Sequence, residues 1–560
     1  MPSEYLLGLT SSATTLTKAV SDNPQDEISK LAQKLFSNKH SAWVNPIKNA
    51  KKDEDYTQED LDRAAKCGRF PYRPSDLFLK MYSDVLDTLE RDPWAGMVSP
   101  SLLASSGVIP LSIISVIPDI MRHYRNLIAN AETEVMIATN YWEASYSSSL
   151  VHDALIELSR RHEGKPTKPV VKLIYDRGNP KQVIKNHQRV PPEDWEAVGL
   201  PKKEEIPNIE FEVMNYHRPV MGTFHAKYMI VDRKVACLNS NNIQDRVNVE
   251  MMTHIEGPIV DAFYDMSLLS WAEAFQPPLP LLKGGGGAPK DGEEYKFKEE
   301  NRYLREPSAG PEVAQGFHPH VLHKPHKPFP IAMVNRAPRG TPGHSDIDVP
   351  QNAAWLAGFR LARKNIFIQT PTFNAVPVVK EILDACRRGV EVTIYVDLGF
   401  NDGGEMLPGQ GGTNSKVVAE MYKVLNADQK QQFLKVYWYT AKDQEKPIDA
   451  SEKRRNCHVK FCTIDDEVAI QGNGNQDTQS WFHSQEINIM VDSREMCAEW
   501  RAGIDNNQNT ALYGRVDDKD GLWRDKDGTV LEGKGGKGGP IEVVKGLFGA
   551  VARVQGKGGF

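Results

Sequence analysis

Two long stretches of this 560-residue chain repeat one another element for element. The first runs through a helical stretch (DIMRHYRNLIANA), a strand (EVMIATNYW), a helix (LVHDALIELSRRH), a strand ending at Asp176 (VVKLIYD), a later strand (IEFEVM) and TFHAKYMIVD. The second runs through AAWLAGFRLARK, NIFIQTPTF, VPVVKEILDACRRG, VEVTIYVD ending at Asp397, FLKVYWYT and NCHVKFCTID. A duplication of this length constrains both halves at once, so it is read before any single element is assigned. Alternating strands and amphipathic helices predict an α/β chain of two tandem repeats, each a mixed β-sheet flanked by helices. The parallel continues through Glu250 and Glu486, which open matching strand-like segments, to Trp271 and Trp500 in the helices that follow.

Both repeats hold His-x-Lys-x-x-x-x-Asp at the same place: His225, Lys227, Asp232 and His458, Lys460, Asp465. Six residues later come short polar turns, Asn239-Ser240-Asn241-Asn242 and Gly472-Asn473-Gly474-Asn475, with Asn242 and Asn475 in register. In a strand, residues i and i+2 share a face, so His and Lys of each motif are expected to project into one cavity. Each Asp follows its His by an odd offset of seven, which predicts a structural support facing the other way. Two imidazoles, two ammonium groups and carboxamides suit phosphodiester cleavage, with one His attacking phosphorus and the other protonating the leaving alkoxide. Lys227, Lys460, Ser240, Asn242, Asn473 and Asn475 are the expected phosphate contacts. No metal or cofactor is called for by this chemistry.

The paired motifs resemble those of the phospholipase D superfamily, whose members carry H-x-K-x4-D-x6-G-S-x-N twice and build one shared active site from both copies. The resemblance covers roughly residues 95–505 and departs at Asn239, in place of the first motif's Gly, and at Asn473, in place of the second motif's Ser. It implies a covalent phosphohistidine, with His225 as nucleophile, His458 as acid, and the reverse assignment still open. It also implies that acidic residues at the positions of Glu250 and Glu486 orient the imidazoles. The activity so implied is hydrolysis or headgroup exchange of a phospholipid at a membrane surface, without obligate nucleic acid. The rivals are a nuclease-like or DNA-repair phosphodiesterase of the same superfamily and a catalytically inactive scaffold that binds phospholipid or protein. The oligomeric state is left open.

Composition trims these options. Lys plus Arg number 68 against 74 Asp plus Glu, a net charge of −6, without the basic field of a dedicated nucleic-acid binder. Six cysteines show neither paired spacing nor a CxxC zinc pattern. The N-terminus lacks a basic region leading into a long apolar run, and VIPLSIISVIP at 108–118 is too short to span a bilayer, so a cytoplasmic location, with peripheral attachment to internal membranes as an option, is expected.

The expected organisation is a helical N-terminal extension packed on the first repeat (1–90), repeat 1 (91–276), a Pro/Gly-rich linker (277–329), repeat 2 (330–510) and a Gly/Lys-rich tail (511–560). PIAMVN at 330–335 reads as the first strand of repeat 2, with AGMVSP at 95–100 as its counterpart. The linker histidines 318, 320, 323 and 326 read as a polar connector with no acidic partner nearby. Tyr141, Trp142 and Phe373 divide evenly between core packing and substrate contact, and the glycine-rich loop 399–413 reads as a cover over the site. The cysteines Cys457 and Cys462 beside the second motif read as packing residues. In the tail, Ile541, Val544, Phe548 and Val551 share one helical face that suits either an anionic membrane or the protein's own core.

Overall fold

The computed structural model describes residues 2–36, 51–177, 180–183, 185–284, 316–341, 343–405, 409–453 and 455–531. The amphipathic helix read in the tail and most of the Pro/Gly-rich linker lie outside the described residues.

A single 16-stranded mixed sheet runs through both repeats. From its outer edge, repeat 2 contributes Leu434–Trp438, Glu391–Val396, Asn365–Thr370, Phe461–Ile464, Val468–Gly472, Asn488–Asp492 and Phe329–Met333. Repeat 1 follows in the opposite sense with Ala104–Ser115, Glu250–Glu256, Val235–Asn239, Tyr228–Val231, Glu134–Thr139, Val170–Tyr175, Glu210–Tyr216 and His187–Val190. The two first strands meet antiparallel, Ala104 opposite Ala332 and Gly107 opposite Phe329, so each repeat covers the other's edge. Within each repeat three strands are parallel, joined by helical crossovers except between Val170–Tyr175 and Glu210–Tyr216, where the connection holds short 3-10 turns and the strand His187–Val190, while the motif strand sits antiparallel beside them. Proline in the first turn of Ile117–Ala129, Pro350–Leu361 and Val376–Arg388 starts those helices where no intrahelical N–H partner is needed.

Three expectations change. The first strand of repeat 1 is Ala104–Ser115, not 95–100, and it contains most of the apolar run set aside as too short for a membrane, whose end opens the helix Ile117–Ala129. Pro110 falls where the register with Glu250–Glu256 shifts, between Val108 and Leu111, a place where a strand tolerates a missing N–H. The linker contributes a strand, His320–Leu322, that pairs with Leu111–Ile113. Its His323 bonds Ser112 Oγ at 3.0 Å and pairs with Glu499, so an acidic partner is present after all. The N-terminal helices pack on both repeats rather than on the first alone. Thr17 donates to Asp265 in repeat 1, whereas Ser75 donates to Asp492 and Arg360 pairs with Asp84 in repeat 2.

The apolar core follows the sheet. One body of buried side chains joins the N-terminal helices to repeat 2 and to one face of repeat 1; a second lies beneath Ile117–Ala129 and Tyr146–Arg161. Among the described residues no helix is long and apolar enough to cross a membrane.

Candidate active site

The two motifs approach their strands in extended segments that pair across the repeats. His225 N–H donates to Gln485 O at 3.0 Å, and His458 N–H donates to Val249 O at 2.7 Å. Gln485 and Val249 immediately precede Glu486 and Glu250. Each imidazole therefore lies beside the acidic residue of the other repeat. His225 Nδ1 is 2.8 Å from Glu486 Oε2, and His458 Nδ1 is 3.0 and 3.1 Å from the two oxygens of Glu250. The carboxylates take Nδ1–H, which leaves Nε2 as the nitrogen facing away from the carboxylate. Counting along each repeat pairs His225 with Glu250; the fold crosses that pairing.

Both carboxylates are themselves fixed. Ser240 Oγ donates to Glu250 Oε2 at 2.6 Å, and Ser480 Oγ donates to Glu486 Oε1 at 2.6 Å. Ser240 was expected to touch phosphate, but its hydroxyl is held by Glu250 and by Met251 N–H. Ser480 does the same for repeat 2 from an unaligned position, six residues before its Glu rather than ten. Asn473 was likewise expected at the phosphate. Its Oδ1 instead accepts from Lys227 N–H at 2.8 Å and its Nδ2 donates to Asn239 O, so the side chain ties the repeats together.

Asn239 has ordinary backbone geometry, so the Gly it replaces is not required for a left-handed turn. At Gly472 the demand is space: a Cβ would sit 2.3 Å from Ile487 O.

Lys227 and Lys460 are buried, each donating one hydrogen to its own motif's His carbonyl, at 2.7 and 2.6 Å. Each ammonium keeps further N–H groups. Asn242 Oδ1 lies 3.4 Å from Tyr141 N–H and its Nδ2 has no partner among the described residues. Asn475 Nδ2 donates to Asp477. Asp232 and Asp465 lie at the hairpin turns away from the imidazoles, as the odd offset predicts. Asp232 accepts from the N–H groups of Glu132, Thr133 and Glu134, and Asp465 from those of Arg363, Lys364 and Asn365.

Burial controls the electrostatics. It lowers His225 to about 4 against the raising effect of Glu486, and lowers His458 to about 3 against Glu250, with the lysines also lowering both. Both imidazoles are neutral near pH 7. Burial and the facing Lys460 hold Lys227 well below its ordinary value, and burial lowers Lys460 to about 8. An anion placed between the two lysines would favour their charged forms.

Two further carboxylates were not singled out from the sequence. Asp176 Oδ2 accepts from Phe224 N–H at 2.7 Å, and Asp397 Oδ1 accepts from Cys457 N–H at 3.1 Å, each at the residue before a motif His. Their equivalent places at the ends of repeated strands were the available signal. Asp176 also holds His217 Nδ1 at 2.9 Å.

Trp142 and Phe373 are buried in the core. Phe400, in the glycine-rich loop, lies 6.1 Å from the His458 ring, centroid to centroid. Cys457 and Cys462 are buried, with burial raising both thiols. Apart from these groups, His123, Cys237 and His254 offer ligand atoms within 4.8 Å of one another. His254 there is already held between His123 and Glu256, at 2.9 Å each.

Residues 356–507 match the family described as "Cardiolipin synthase, PLD-like domain". The fold is similar to that of phosphatidylserine synthase from Haemophilus influenzae Rd KW20, at 15% identity and TM-score 0.50, over 80% of this chain and 96% of that one. Nuc, a phospholipase D family member from Salmonella typhimurium, aligns over 33% of this chain and 95% of its own length, at 16% identity and TM-score 0.22. No curated protein sequence matches the chain. The match to that family model lies within the second repeat, and the similarity in fold extends over both repeats of the one sheet.

Proposed function

We propose that the protein is a phospholipid-metabolising phosphodiesterase that transfers a phosphatidyl group through a covalent phosphohistidine. The observation that carries this reading is the crossed pair of buried imidazoles, each held at Nδ1 by a carboxylate of the other repeat. The family description matched by residues 356–507 and the name of the similar synthase favour a phospholipid substrate. The net charge of −6 disfavours the nuclease alternative.

In this mechanism His225 Nε2 attacks phosphorus while the P–O bond to the headgroup breaks. His458, which takes up a proton at Nε2 when the anionic substrate binds, gives that proton to the departing alkoxide. The neutral His458 then takes the proton of water or an alcohol, whose oxygen displaces His225 and restores both imidazoles. Lys227, Lys460 and Asn242 stabilise the nonbridging oxygens. The substrate's negative charge raises the pKa of whichever imidazole must hold the proton.

The test is a panel of phospholipids incubated with and without ethanol, alongside labelled single-stranded DNA. Phosphatidylethanol is the expected product, since the acceptor is chosen after the headgroup leaves. His225→Ala and His458→Ala should each abolish it, and Lys227→Ala or Lys460→Ala should cost on the order of 10²-fold. With a substrate whose leaving group needs no proton, His458→Ala accumulates phosphorylated enzyme and His225→Ala does not; the opposite pattern exchanges the roles. DNA cleavage without phosphatidylethanol overturns the lipid assignment.

A further inference from the structure

Arg336 is fully buried, and none of its three side-chain nitrogens has a hydrogen-bond partner among the described residues. A guanidinium carries five donors and a permanent charge, so burying it without an acceptor is among the most unfavourable arrangements a fold can hold. Its position explains the arrangement. Arg336 and Glu486 are an antiparallel pair that exchange both backbone bonds, at 3.1 Å each. Directly opposed residues project from the same face, so the guanidinium stands beside the carboxylate that orients His225. That carboxylate is already taken by His225 and Ser480 and does not reach Arg336.

Two acids, Glu486 and Asp346, lie near enough to act on the guanidinium, but both are held by other partners and the remaining neighbours are cationic or neutral. Arg339 lies near enough to lower Arg336, and Arg336 in turn lowers His344 and His483, burial being the larger cause each time. The His344 and His483 rings are 6.4 Å apart, and His483 Nδ1 faces Arg339 O at 3.2 Å. Asp346, the nearby acid, is held by the Arg91 fork.

Internal symmetry supplies a control. The residue of repeat 1 that pairs with Glu250, as Arg336 pairs with Glu486, is Ser115, whose hydroxyl bonds Asp119. The shared chemistry of the two motifs therefore does not require a cation at this position. One half of the site carries one.

We infer that Arg336 binds a second anionic group of the substrate, a phosphate or carboxylate separate from the phosphodiester that reacts. The inference rests on the phosphatidyl-transfer reading above. The guanidinium fork takes such a group in two parallel bonds. The acid belongs either to the departing headgroup or to the incoming acceptor, and the chemistry at Arg336 is the same.

The test compares wild type with full-length Arg336→Met, which fills the space without charge. The donor arm uses short-chain lipids with a glycerol or a glycerol phosphate headgroup; the acceptor arm uses ethanol or glycerol 3-phosphate. The ratio of kcat/KM for the acidic over the neutral member should fall about tenfold or more in the variant, in the donor arm or the acceptor arm according to where the acid resides. The unliganded variant should melt no lower than wild type, because an unpaired buried charge has been removed. Glycerol 3-phosphate should raise the Tm of wild type and raise that of the variant less.

An unchanged ratio together with equal protection overturns the assignment. So does a melting temperature lowered by the substitution with both members of a pair slowed equally, which marks a structural Arg or a contact to the reacting phosphate. Wild type inactive on every lipid but still protected through Arg336 refutes the lipid reading alone.

Discussion

Crossed orientation of the imidazoles can be measured without knowing the substrate. Glu486→Ala, His225→Ala and their double variant form one cycle; Glu250→Ala with His458→Ala forms the other. Each removed contact is a buried N–H to carboxylate bond, at 2.8 Å for His225 and 3.0 Å for His458. Buried bonds to a charged group contribute about 1.5–3 kcal/mol, so each crossed cycle should show a coupling of that size in urea unfolding. Glu486→Gln keeps a neutral bond at roughly half the strength and should fall between. The swapped cycles, His225 with Glu250 and His458 with Glu486, should couple by no more than about 0.5 kcal/mol. Larger coupling within repeats than between them would refute the assignment of each carboxylate to the opposite motif.

Three further outcomes are expected. Gly472→Ala forces a methyl group to within 2.3 Å of Ile487 O and 2.6 Å of Asn488 Cα, and should destabilise by about 1–3 kcal/mol or more in the urea midpoint. Because the fold lowers His225 to about 4 and His458 to about 3, the unfolded chain binds two more protons below its ordinary imidazole pKa. Stability should therefore fall with pH from roughly 6.5 towards 4, by up to about 1.4 kcal/mol per pH unit for each His, and His225→Gln with His458→Gln should flatten that slope in urea titrations at pH 7, 6 and 5. Turnover of a soluble phosphodiester should survive EDTA, since side chains supply nucleophile, acid and charge stabilisers; complete loss, restored by one divalent ion, would contradict the mechanism.

The repeat, its element types and the two His-x-Lys pairs were legible because periodicity and a doubled motif are local patterns. Residues whose roles depend on a partner from the other half were not. Glu250 and Glu486 could be read as orienters, yet which His each serves is set by the pairing of Val249 with Cys457 and of Gln485 with Phe224. Ser240 and Asn473 looked like phosphate ligands by chemistry, and only the packing of Glu250 and Lys227 against them shows that their polar atoms are committed. The strand Ala104–Ser115 was missed because Pro110 and a continuous apolar run hide its alternation, as expected for a strand buried throughout. Arg336 carries no local signal at all, since its strand neighbour lies 150 positions away.

The edge-to-edge join at Ala104–Gly107 and Phe329–Ala332 also governs how the protein responds to dilution. Two identical subunits sharing a site would separate as concentration fell, and their symmetry would place any new side chain on both sides of the reacting phosphate. Tethering makes assembly unimolecular, so specific activity should hold at picomolar protein, and it frees the halves to diverge. Ser115 and Arg336 are equivalent positions at which the two halves differ. A homodimer would carry two opposed guanidiniums at this position or none, whereas the single chain carries one.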